Sequence, residues 1–354
     1  MKKVFIIFAA VVLAISCEGK DGSTQDWPWE QPEADTPGDQ NPDIPSEPDP
    51  EDDKATLDKW IEVSSNYGEL PNYIKVYRSP DMLKGKKSIA YITVADMASA
   101  QWDIWSINDP EMDGTQDAFK TPKKIYDAGN WPIVINAGFF YAEGGKNYPA
   151  SLAVRESVAL AYNINYASED WIDIYYPTRA AFLENTEGVF DACWTYKTYD
   201  NHYMYAVPAP NTWEADPVKQ PSATYPEGGK VFAAKTAIGG GPLLIDDGEF
   251  KDAYVEELFN GASGIGPDSN QPRTAIGVTA DKKMVLFVCE GRQMTQGVRG
   301  LTTADVANVL LDLGCVEAIN LDGGGSSCML VNGQETIKVS DGSQRAVGST
   351  IMLK

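Results

Sequence analysis

Histidine is almost missing from this chain: His202 is the only one among 354 residues. A zinc site built on several imidazoles is therefore excluded, and a Ser-His-Asp triad would hang on that single residue. Positive charge is scarce as well. Lys and Arg number 29 against 51 Asp and Glu, for a net charge of −22. Grip on a phosphate backbone rests on cations, so no nucleic-acid partner is expected. The five cysteines, Cys17, Cys193, Cys289, Cys315 and Cys328, never fall in a C-x-x-C spacing, which argues against zinc or iron–sulfur ligation. Buried free thiols are expected at the last four, because a core of this size does not need disulfides. The D-x-D-x-D-G loop of calcium sites and the GK[ST] element of phosphate loops are both absent. No cofactor is expected, and a divalent cation would have only carboxylates, Asn and backbone oxygens to draw on.

What is present at the N-terminus reads as a targeting segment. Lys2 and Lys3 precede an unbroken apolar run over 4–15, 12 residues long. That is short of the roughly 20 residues a spanning helix needs, and it fits a signal-peptide core. The run closes on Ala14-Ile15-Ser16-Cys17, which resembles the lipobox of bacterial lipoproteins. Residues 1–16 are expected to be a signal peptide and Cys17 the lipidated residue. Acyl chains on Cys17 would hold the protein on a bacterial membrane that it does not cross. The outer membrane is the expected one, on its periplasmic or outward face. Residues 18–53 hold 13 acidic residues, one Lys and seven prolines. Such a composition cannot form a core, so 17–57 is read as an extended acidic tether.

From 58 onward the pattern predicts an α+β, mixed α/β fold: one strand-rich domain, monomeric, with a few packed helices. Strands are expected at 89–94, 131–135, 274–278 and 284–289, the last two joined as a hairpin. Asn332-Gly333 after 328–331 predicts a second hairpin. Residues 160–230, rich in Tyr, Trp, Pro and Asn, read as an insertion of irregular strands and loops. One helix is well marked at 303–313. Thr302-Thr303-Ala304-Asp305 is close to a capping box, Val306, Val309, Leu310 and Leu313 repeat at helical spacing, and Gly314 stops it. The order strand, helix, strand over 284–321 permits a crossover between parallel neighbours, which would bring Glu290 and Asp322 to one sheet edge.

Asn320-Leu321-Asp322-Gly323-Gly324-Gly325-Ser326-Ser327 carries the most chemical information. A strand runs into a carboxylate, then glycines that admit a ligand close to the backbone, then two hydroxyls. A plain turn is the competing reading for the glycines, and it is also the better reading for Gly239-Gly240-Gly241 taken alone. Arg273, at the start of a strand, is a surface residue by default, yet its planar fork suits a phosphate. Asn136-Ala137-Gly138 at a strand end is either a turn or a ligand contact.

The segments 135–140 (INAGFF), 239–245 (GGGPLLI), 272–278 (PRTAIGV), 289–292 (CEGR), 319–327 (INLDGGGSS) and 345–348 (RAVG) follow one another in an order that resembles the phosphodiester glycosidase family. The likeness spans roughly 85–354 and is poorest over 160–230. Two positions depart from the family pattern: Glu290 stands where Asp is usual, and Ala137 where Gly is frequent. The resemblance implies hydrolysis of a sugar-1-phosphodiester to free sugar and phosphomonoester. Asp322 would be nucleophile or base for water, with Glu290 the second carboxylate. Arg273, with Arg292 or Arg345, would hold the phosphate, Gly323, Gly324 and Ser326 would add donors, and Asn136 would bind a sugar hydroxyl. A phosphate leaving group is weakly basic, so the lack of histidine is no obstacle. The competing reading is a glycan-binding envelope lipoprotein without catalysis, stacking sugars on its nine Trp and 17 Tyr.

Overall fold

The computed structural model describes residues 54–354 apart from 109–117, 130, 169–171, 214–218 and 261–263. The expected signal peptide, Cys17 and most of the tether lie outside the described residues. No helix among the described residues is long and apolar enough to cross a membrane. Ordered packing begins before residue 58: Ala55 is buried, and its amide donates to Asp312 Oδ2 at 2.7 Å.

Three antiparallel sheets make up the body. The eight-stranded sheet runs, edge to edge, Ile61–Glu62, Ile74–Arg78, Ala90–Asp96, Lys283–Cys289, Arg273–Thr279, Cys315–Asn320, Leu243–Asp246 and Glu249–Phe250. A seven-stranded sheet holds Val158–Ala161, Ala153–Arg155, Thr236–Gly239, Arg179–Glu184, Phe190–Lys197, His202–Tyr205 and Lys230–Val231. A five-stranded sheet orders Gln334–Glu335, Met329–Val331, Ile133–Asn136, Ser349–Leu353 and Trp102–Ser106. One core joins them, with Ile135 and Ile351 from the third, Phe182 and Ile238 from the second, and Ile276, Leu286 and Ile319 from the first.

This corrects the mixed α/β expectation: the protein is mostly β, with two α-helices among the described residues, Pro122–Gly129 and Thr303–Asp312. The expected crossover between parallel neighbours is also corrected. Lys283–Cys289 and Cys315–Asn320 point the same way, but Arg273–Thr279 lies between them, antiparallel to both. The misreading has a physical cause. Continuous apolar strands usually mean a parallel sheet covered on both faces. Here an antiparallel sheet is covered on both faces: Met284, Leu286 and Val288 enter the shared core, while Val285, Phe287 and Cys289 pack under the helix with Val306, Val309 and Leu310.

Both hairpins form, Arg273 facing Cys289 in the first and Val331 facing Gln334 in the second. Asn332 and Gly333 take φ of 47° and 77°, the left-handed pair such a tight turn requires. Residues 160–230 are more regular than expected, supplying three strands of the seven-stranded sheet. That sheet curls. Tyr162, just past its first strand, meets His202 of its sixth at 5.3 Å between ring centroids. All four described cysteines are free and buried.

The helix Thr303–Asp312 starts with a full capping box between Thr302 and Asp305. Thr302→Ala is expected to lower stability by about 1 kcal/mol, read as a shifted urea midpoint with an unchanged slope.

Candidate active site

Asn136 links the sheets at the end of its strand. Its Nδ2 donates to the Asp322 carbonyl at 2.6 Å, and its Oδ1 accepts Thr274 Oγ1 at 2.9 Å and the Cys328 amide at 3.0 Å. The Asp322 amide donates to Ala137 O at 2.9 Å. Asp322 is thus held by its main chain on both sides, leaving its carboxylate to point away. Asn136 is fully buried, and both its amide atoms are engaged inside the protein. It is a positioning residue here, not the sugar contact expected from sequence.

The Asp322 carboxyl is pushed up to about 6, chiefly by burial. The Ser326 hydroxyl, Arg345, the Gly323 amide and Arg292 work in the opposite direction by favouring the charged form. Past Asp322 the chain makes a single turn of 3-10 helix over Gly324–Ser326. The glycines are needed for space. A Cβ on Gly324, which sits at φ +59°, would lie 2.8 Å from Arg292 Nη2; one on Gly325 would lie 2.2 Å from Arg345 Nη2 and 2.3 Å from Asp341. Two guanidinium groups therefore rest directly over bare backbone. The expected amide donors are mostly committed, Gly323 to the Asp322 carboxylate and Gly324 to Pro272 O at 2.8 Å.

Arg345 is braced by Asp341, with Nε to Oδ2 at 2.8 Å and Nη2 to Oδ2 at 2.6 Å, and its Nη1 lies 3.4 Å from Ser326 Oγ. Arg292 donates from Nε to Gln271 Oε1 at 3.0 Å, and its Nη1 stands 3.9 Å from Asp341 Oδ1. Both side chains keep substantial exposure, 39% and 47%, so a solute anion can reach them. Asp341 was missed by the sequence reading. The signal was its place four residues before Arg345, in Ser340-Asp341-Gly342.

Arg273 sits beside this turn but turns inward. Its Nε donates to Leu301 O at 2.9 Å, Nη1 to Ile265 O at 3.0 Å, and Nη2 to Gly266 O at 2.5 Å and Ser269 O at 2.8 Å. A guanidinium spent on four carbonyls and buried to 2% exposure clamps a loop and has no fork left for a phosphate. Glu290 reaches the same sheet edge, as expected. Its Oε1 accepts the Lys338 amide at 3.0 Å, and its Oε2 is buried without a partner among the described residues. His202 stacks at 4.3 Å on Phe232 and lines a cavity of about 560 Å³ with Tyr162 and Asn185. Burial pushes it down to about 4, so it is neutral.

Among the described residues, one group of three or more carboxylates is close enough to share a cation. Asp191, Asp246 and Glu317 place oxygens within 4.8 Å of one another, toward the start of the strand that ends before Asp322. Burial, then mutual repulsion, raises Asp191 to about 6 and Glu317 to about 8. A carboxyl with a raised folded pKa favours folding only while protonated, so this stability is lost as pH rises through those values. Asp191→Asn should shrink the fall in unfolding free energy between pH 5 and pH 8, measured by urea titration. Arg273→Ala should cost about 2–4 kcal/mol of stability by orphaning buried carbonyls, whereas Arg345→Ala should leave the melting temperature nearly unchanged.

The phosphodiester glycosidase family model matches residues 214–354, which bears out the resemblance carried by the motifs. The SPbeta prophage-derived protein YomE of Bacillus subtilis (strain 168) is 39% identical over 82 residues, 23% of this chain. The chain spans only 12% of that relative's length. Among solved structures, the catalytic domain of zebrafish N-acetylglucosamine-1-phosphodiester alpha-N-acetylglucosaminidase, auto-inhibited by its pro-peptide, superposes with a TM-score of 0.52 at 18% identity. That match covers 83% of this chain and 87% of the zebrafish one. A hypothetical protein from Synechocystis matches with the same TM-score and identity, over 81% of this chain and 64% of its own. At such identities the likeness establishes a shared fold.

Proposed function

We propose that this protein, a phosphodiester glycosidase-type hydrolase by its family match, cleaves the glycosidic bond of a sugar-1-phosphodiester at Asp322. The observation that carries the reading is one carboxylate and two exposed guanidinium groups meeting over a glycine turn. Arg345 and Arg292 take the phosphate, the role first expected of Arg273. Charge on the departing phosphate grows as the bond breaks, so fixed cations there favour the transition state over the ground state. The bond between C1 and the phosphate oxygen breaks with its electron pair going to the phosphate, which leaves as a phosphomonoester. Water oxygen ends on C1, and its proton passes to solvent. Asp322 either attacks C1 first or takes the proton of the attacking water; retention or inversion at C1 tells the two apart.

Either role needs the ionised carboxylate. With its pKa raised to about 6, kcat/KM on a sugar-1-phosphodiester should climb as pH rises through about 6 and level off above. Asp322→Ala should lose activity by about a thousandfold or more while keeping the wild-type circular dichroism spectrum. Full activity in that variant would remove Asp322 from the chemistry.

The aromatic cavity of Tyr162, His202 and Phe232 favours a second reading, glycan capture without turnover. Under it, glycan affinity would survive Asp322→Ala and no sugar would be released by the wild type. A Cys17 lipid anchor on the bacterial envelope remains part of the proposal. Metabolic labelling with a fatty acid should mark the wild type and leave Cys17→Ser unlabelled.

A further inference from the structure

Arg179 opens a strand of the seven-stranded sheet, outside the stretch matched by the family model. Its guanidinium carbon lies over the Phe259 ring, 4.0 Å from the centroid. Phe259 in turn meets Phe139 at 5.6 Å. Among the described residues its guanidinium makes no hydrogen bond or ion pair, and its Nε is sealed from solvent with no partner. Among the described residues the opposite charge acting on it is Glu257, whose oxygens are committed elsewhere: Oε1 accepts the Leu243 amide at 2.7 Å and Trp194 Nε1 at 3.1 Å, and Oε2 accepts the Ala180 amide at 2.9 Å. Glu257 therefore steadies the cation through space and leaves its donors free.

A guanidinium with one donor sealed from solvent and unused is costly, because buried polar groups are nearly always paired. A guanidinium on an aromatic face presents its donor edge in a fixed plane, the geometry that receives two oxygens of a phosphate or carboxylate. The residue as a whole retains partial exposure, and of its three guanidinium nitrogens only Nε is sealed from solvent without a partner, which leaves the Nη1 and Nη2 edge as the side a solute would meet.

The location ties it to the Asp322 site. The amide of Gly240 donates to Ala180 O, and that of Gly241 to Asn320 O, two residues from Asp322. From the other side Phe139 lies two residues past Ala137, which holds the Asp322 amide. Yet the cations acting on Asp322 are Arg345 and Arg292, while Arg179 acts on Glu257. We propose that Arg179, seated on Phe259, recognises a second anionic group of the substrate, a phosphate or carboxylate on the aglycone beyond the bond that is cut. This rests on the sugar-phosphodiester reading of Asp322 and names the class of aglycone.

The test compares the full chain with Arg179→Gln and Arg179→Lys on two substrates, a methyl sugar-1-phosphodiester and a uridine diphosphate sugar, whose aglycone carries a further phosphate. Arg179→Gln should lower the preference for the diphosphate substrate by about tenfold or more, through KM, and Arg179→Lys should restore part of it. Equal losses on both substrates, or none, would overturn the proposal. A second measurement does not depend on turnover. Calorimetric titration with inorganic pyrophosphate should show binding weakened about tenfold or more by Arg179→Gln. Unchanged pyrophosphate affinity in Arg179→Gln would also overturn it. If the wild type turns over neither substrate yet binds pyrophosphate through Arg179, the catalytic reading has failed and the anion site stands. Melting temperature separates a fold defect: a merely structural Arg179 would drop it in both variants, whereas an unpartnered cation should leave it unchanged or raised in Arg179→Gln.

Discussion

The side-chain amide of Asn136 is the joint on which the site depends. It ends a strand of the five-stranded sheet and reaches Thr274 of the eight-stranded sheet, the Cys328 amide and the Asp322 carbonyl. Buried amides that satisfy several partners at once tolerate little displacement, because each lost bond leaves an unpaired polar group in an apolar surround. Two sheets are thereby locked at the point where the chain leaves one of them and becomes the glycine turn. The turn can afford three glycines in a row because its entry is fixed by Asn136 and Ala137, and its exit by the Thr274–Ser327 hydroxyl contact at 3.2 Å.

That fixed turn explains the electrostatics. Backbone without side chains lets Arg292 and Arg345 come down close to Asp322, and Asp341 holds Arg345 in place from the far side. Burial alone would raise the carboxyl further; the two cations and two hydrogen bonds restrain it at about 6. The result is a carboxylate that ionises just below neutrality beside cations that remain accessible. In the proposed reaction the leaving group is weakly basic and needs no imidazole, and His202 is neutral and packed between rings elsewhere.

The two arginines that invite comparison, Arg273 and Arg179, show how position decides role. Both are pushed down to about 10 by burial, and both stay charged. Arg273 has carbonyls on every side and serves as a clamp for the loop it holds. Arg179 has an aromatic ring, the charge of Glu257 acting on it, and no hydrogen bond from its guanidinium among the described residues. The same side chain is structural in one place and open to a ligand in the other, and the difference lies entirely in the residues folded around it.

Much of the local structure was already legible along the chain. The capping box at Thr302, the stop at Gly314, the Asn332-Gly333 hairpin and the strand ending at Asp322 are set by near neighbours, so composition and spacing suffice to read them. The motif order that resembles the phosphodiester glycosidase family is likewise readable along the chain, and the family model matches residues 214–354. Three things were decided only by the tertiary fold: that the apolar strands pair antiparallel, that Arg273 faces inward while Asp341 braces Arg345, and that strands from 160–230 enter the seven-stranded sheet. Each depends on which residues meet across long stretches of chain. A strand buried on both faces reads the same whether its neighbours run parallel or not, and an arginine reads the same whether carbonyls or solvent await its guanidinium.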